Sequence, residues 1–123
     1  MPPLVAHALT ALVAVEHVYF LVLEMFLWTT PFGMKTFQRT RQEQEQTAVL
    51  AKNQGLYNGF LAAGLAWSFF ADGQQLALRT FFLACVIVAG VYGAATVGRK
   101  ILWLQALPAA LAMAAVWAAR GAP

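Results

Sequence analysis

The run LVAHALTALVAVEHVYFLVLEMFL, residues 4–27, decides the fold. An α-helix needs about 20 apolar residues to cross roughly 30 Å of hydrocarbon, and this run supplies them. Three further apolar runs of similar length follow, at residues 50–71, 76–97 and 101–119. None alternates strictly between apolar and polar, which argues against a transmembrane β-barrel. The first run lacks a basic leading region, and it carries Glu16, His17 and Glu24. It therefore reads as a retained helix rather than a secretory signal. Helices are predicted at about residues 4–28, 48–71, 76–97 and 101–119. The expected fold class is all-α, a four-helix transmembrane bundle running up-down-up-down with short connections. Residues 1–123 are expected to form a single integral membrane domain.

Composition points the same way. Of 123 residues, 61% are hydrophobic and 11% are charged. A soluble domain carries about 25% charged residues. So few charges cannot cover a water-facing surface of this size; the excess apolar surface must face something other than water, and lipid is the simplest candidate. The net charge is only +3 and is not gathered on one helix face, so no nucleic-acid partner is expected. One cysteine, Cys85, excludes an intrachain disulfide and reads as a small apolar residue.

Between the first two runs, residues 31–47 read PFGMKTFQRTRQEQEQT. Pro31 and Gly33 stop the first helix. Phe32, Met34 and Phe37 beside Lys35, Arg39 and Arg41 fit either a segment lying on the membrane surface or a solvated loop. Residues 72–75, DGQQ, and residues 98–100, GRK, make tight turns. Lys35, Arg39, Arg41, Lys52, Arg99 and Lys100 then fall on one side of the membrane, against Arg79 and Arg120 on the other. The bias of basic residues toward cytoplasmic loops places both termini outside the cytoplasm. Trp28 and Trp103 fall at the cytoplasmic edge, and Trp67 and Trp117 toward the outer edge, where interfacial aromatic belts belong.

Polar groups inside lipid are expensive, about 2.5–3.5 kcal/mol for a charge at a helix centre, so they turn toward other helices or a wet cavity. Glu16 and His17 lie near mid-membrane and Glu24 nearer the cytoplasmic end. His17 and Glu24, two turns apart, share a helix face with Thr10, Val13 and Phe20. Glu16 is expected to meet Tyr19 or another helix. The second helix opens with Asn53, Gln54, Gly55, Leu56, Tyr57, Asn58 and Gly59, and the fourth brings Gln105 and Pro108. The cytoplasmic half thus collects polar groups, while the outer half is read as apolar packing with His7 at its interface.

A polar pocket in the cytoplasmic half follows as the expected site. Glu16, His17 and Glu24 would handle a proton or pair with a ligand; Gln54, Tyr57, Asn58 and Gln105 would line it. Amides and hydroxyls at these positions serve equally as glue between helices, but two carboxylates and an imidazole cost too much for glue alone. No metal-ligand spacing, phosphate loop or activated serine is present, so no metal, cofactor or catalytic residue is assigned. Two alternatives stay open. One is a metal- or quinone-dependent membrane enzyme. The other is a non-catalytic assembly partner, or a homo-oligomer formed through the close-approach face of Gly55 and Gly59.

The stretches VEHVYFLVLEMFLWTTP (15–31), KNQGLYNGFLAAGL (52–65), CVIVAGVYGAATV (85–97) and QALPAALA (105–112) resemble the domain of unknown function 1304 family. Members are small four-helix proteins, mostly of bacterial inner membranes. The resemblance implies a multi-pass plasma-membrane protein. It implies no activity, substrate or catalytic residue.

Overall fold

The computed structural model describes residues 3–121, and among them all regular structure is helical. The elements are α1 (Pro3–Met25), α2 (Pro31–Phe37), α3 (Arg41–Gln46), α4 (Ala48–Trp67), α5 (Gln75–Thr96), a π-helical turn (Leu102–Ala106) and α6 (Leu107–Ala118). The all-α expectation holds, and the long helices fall close to the predicted runs. α1 ends three residues before the predicted residue 28 and α4 four before residue 71.

Two short helices occupy the stretch read as surface segment or loop. Each is built by its cap. The Thr30 side chain accepts from the Gly33 amide, with Pro31 in the first turn, where a missing N–H costs nothing. Thr40 and Glu43 form a capping box: the Thr40 hydroxyl accepts from the Glu43 amide, and Glu43 Oε1 accepts from the Thr40 amide. Gly33 is required by close approach, since a Cβ there would strike the backbone of Leu27 and Trp28. The last predicted helix is interrupted by a cause that Pro108 supplies. Proline offers no amide to the carbonyl four residues back and its ring crowds that carbonyl. The helix before it widens to i→i−5 bonding, with the Leu107 amide bonding Leu102 O.

The chain divides into two compact units, Met1–Val15 with Leu61–Pro123, and Glu16–Phe60. In the first, Val13, Leu65, Leu83, Val86, Ala109, Ala112 and Ala115 are fully buried. Small residues at this seam let backbones approach closely. At Gly90 a Cβ would stand 2.7 Å from the Ala106 amide nitrogen, and at Gly64 one would stand 2.3 Å from the Phe82 ring. In the second unit, α1 residues pack on α4 through Gly55 and Gly59, whose added Cβ atoms would each stand 2.6 Å from a side chain, of Met25 and Leu21 respectively.

Two helices, α1 and α5, are long and apolar enough to cross a membrane, and only 22% of each apolar window is buried within the chain. A soluble core helix would be mostly covered. Instead Leu12, Val15, Val18 and Val22 on α1 and Phe81, Val88 and Val91 on α5 are exposed. The protected stripe of α1 carries Thr10, His17 and Glu24. Ala6, Val13 and Leu23 are buried on the same helix, so its enclosed side mixes polar and apolar residues while its exposed side is apolar, unlike a water-soluble amphipathic helix.

Candidate functional site

In the Glu16–Phe60 unit the predicted residues separate into two sets. His17 is fully buried, Glu24 is 8% exposed and Asn58 is 9% exposed. The seven-residue spacing places His17 and Glu24 on one face of α1, as the period of the helix requires. From α4, Asn58 Nδ2 donates to Glu24 Oε1 at 2.5 Å. This hydrogen bond joins two of the predicted site residues. It forms because Gly55, one turn earlier on α4, lets the two backbones close up beside Glu24. His17 stands edge-on to Phe20, ring centroids 5.2 Å apart. Glu16 is half-buried, and its Oε1 is enclosed without a hydrogen-bond partner, so the expected contact with Tyr19 does not occupy it.

Gln54 and Tyr57 do not join this set. Both lie on the exposed side of α4, Tyr57 64% exposed with its ring against Phe60. The reason is angular. Gln54 and Asn58 are one turn apart, yet the face of α4 that meets α1 is centred on Gly55 and Asn58, and Gln54 falls on its rim. The Gly55–Gly59 face read as a docking surface for another copy is occupied by α1 of the same chain. Gln105 belongs to the other unit, half-buried within the π-helical turn.

That other unit holds a polar cluster around Arg79, where the sequence reading expects apolar packing. Arg79, five residues into α5, is 2% exposed. Its Nε donates to Ser68 Oγ at 2.9 Å, and its Nη1 lies 2.9 Å from His7 Nδ1. Its guanidinium carbon sits 4.4 Å from the centre of the Phe69 ring, a cation–π distance. Gln75 Nε2 donates to the Ser68 carbonyl. A cavity of about 420 Å³ opens beside the cluster. The start of α1, the start of α5 and the end of α6 line it. Arg79 was counted only as a basic residue of the outer side. Its burial follows from partners distant in sequence, His7 and Ser68, that no spacing rule connects.

Among the described residues no three His, Cys, Asp or Glu side chains gather into a metal-binding group.

Comparison with known proteins adds a family and no activity. The chain is 35% identical over 107 residues to "Uncharacterized protein YpaA" of Lactococcus lactis subsp. lactis (strain IL1403), covering 85% of this chain and 90% of that protein. No solved structure matches significantly. The model of the family described as "Protein of unknown function (DUF1304)" matches residues 11–117. With most of its length matched by that model and by a relative of nearly equal size, the chain belongs to the DUF1304 family of proteins of unknown function.

Proposed function

We propose that the chain is a four-pass protein of the bacterial inner membrane, both termini outside the cytoplasm, that binds a proton or small molecule at Glu24 and Asn58. α1, α4, α5 and the segment Leu102–Ala118 make the four passes, alternating in direction. The last is the shortest, roughly 25 Å at 1.5 Å per residue, enough for most of the hydrocarbon. Support comes from the exposed apolar faces of α1 and α5 and from Trp67, Trp103 and Trp117, which are all exposed near helix ends. The basic connection between α1 and α4 agrees with a cytoplasmic loop.

The observation that carries the binding reading is the buried Glu24–Asn58 hydrogen bond on the stripe that also buries His17. A carboxyl group held among apolar helices is costly unless paired, and such a residue marks proton or ligand pathways by default. Here one amide donor meets one carboxyl oxygen. Glu16 and His17, in the same unit, are the further groups able to exchange a proton. Gln54, Tyr57 and Gln105 serve, in this reading, outside the pair itself. An assembly role through Gly55 and Gly59 is less favoured because α1 already covers them.

The test is infrared titration of the carboxyl stretching band in the protein reconstituted into liposomes. The unmodified chain should show a Glu band that Glu24→Gln removes and Asn58→Leu moves to a different frequency. A Glu24→Gln protein that folds and titrates like the parent would discard the reading.

A further inference from the structure

The Arg79 cavity is a second candidate, built from residues other than Glu24 and Asn58. A guanidinium carries five donors, no acceptor, and a charge that proteins do not remove. In Arg79 two nitrogens have partners, Ser68 and His7, and neither partner is an anion. The third, Nη2, is buried with no hydrogen-bond partner. None of the described residues lining the cavity is Asp or Glu. A permanent cation removed from water with an idle donor and no counter-charge is a costly arrangement.

The neighbours extend the pattern. Arg79 can only donate, so His7 Nδ1 must accept from it, which puts the His7 proton on Nε2. That leaves Nε2–H as another donor at the cavity wall. Gln75 and Arg120 also line the cavity. Arg120 is exposed, with Nη1 on the Trp117 carbonyl and its guanidinium 5.0 Å from the Trp117 ring, so its remaining donors are free to turn. Leu76, Val116 and Ala119 supply an apolar wall. The cavity's volume lies within the range of small-molecule sites, roughly 300–1,000 Å³.

We infer that this cavity binds a phosphate oxyanion carried on a partly apolar molecule, with Arg79 as the buried anchor and His7 and Arg120 as further donors. Two forked guanidinium groups match the geometry of phosphate oxygens. The position at helix ends suits the phosphodiester headgroup of a lipid; a free phosphate species would present the same oxygens.

Two arms separate these sources. The full chain, purified in the uncharged detergent dodecyl maltoside, is unfolded thermally with added inorganic phosphate or with added phosphatidylglycerol. Binding of either to the folded state raises the midpoint. A rise with phosphatidylglycerol alone assigns the headgroup; a rise with phosphate, alone or with the lipid, assigns an oxyanion that needs no acyl chain. Arg120→Ala and His7→Gln should each weaken the response about tenfold, the loss of one charge-assisted contact. Arg79→Gln should abolish it. Should Arg79→Gln fail to fold, the other two variants carry the test. No midpoint shift in either arm, or a shift that all folded variants share equally with the parent, overturns the site.

Discussion

At the scale of single residues, the pair Glu24 and Asn58 shows how a small residue directs chemistry. Without side-chain bulk at Gly55, α4 lies close enough for the Asn58 amide to reach Glu24 at 2.5 Å. Replacing Asn58 by Ala leaves the Glu24 carboxyl buried without that donor. Loss of a partner to a buried polar group costs about 1–3 kcal/mol, and the Asn58→Ala protein should be less stable by that amount in detergent unfolding. Glu24 and His17 were legible in the sequence because charge inside an apolar run is conspicuous and a seven-residue spacing fixes a shared face. Gln54 and Tyr57 stand away from the Glu24–Asn58 pair because proximity in sequence to Asn58 does not decide facing; about 100° per residue does. Arg79 was not legible as a site at all. Its meaning depends on His7, brought to it across the whole fold.

At the scale of elements, the long helices could be read from length and hydropathy, while the short ones were hidden in a polar stretch. Yet the signals for α2 and α3 stand in the residues themselves: Thr30 before Pro31, and Thr40 three residues before Glu43. A reading weighted toward apolar runs passes over them, because helices this short rest on caps and on polar contacts such as that of buried Gln44, whose Nε2 donates to the Trp28 carbonyl, rather than on an apolar face. The Glu43 carboxylate accepts from the Thr40 amide and hydroxyl, and these bonds hold its pKa below the usual carboxylate range. The sign follows from linkage. A carboxylate whose folded-state pKa is depressed contributes stability above its unfolded pKa, and that contribution is lost as pH falls through the folded value. α3 should therefore keep its amide protection down through the ordinary glutamate range, near 4.3, and fray only at lower pH. Amide exchange of residues 41–46 against pH checks this. Glu43→Ala should expose those amides at neutral pH, whereas Glu43→Gln, which can still close the box, should hold them without the acid transition.

At the scale of the whole molecule, the exposed apolar residues of α1, set against its enclosed Thr10, His17 and Glu24, support the proposed membrane environment. A membrane reading turns this into an orientation that can be measured. With Cys85 replaced by Ala, a cysteine at Arg39 should resist a membrane-impermeant maleimide applied to intact cells, and one at Asp72 should react; both positions are exposed. The opposite pattern reverses the proposed topology. Both sites lie outside the long helices, so neither change should disturb packing. The π-helical turn before Pro108 has its own bearing on the chain's history. A turn of that kind holds one residue more than an α-turn, so the bases of the helix on either side keep a common phase. Losing a single residue anywhere in 102–106 would convert it to ordinary winding and leave Ala109, Ala112 and Ala115 facing inward. The same loss a few positions later would swing part of that alanine seam out of the core. Length variation among relatives should therefore be absorbed at this one place in the last pass.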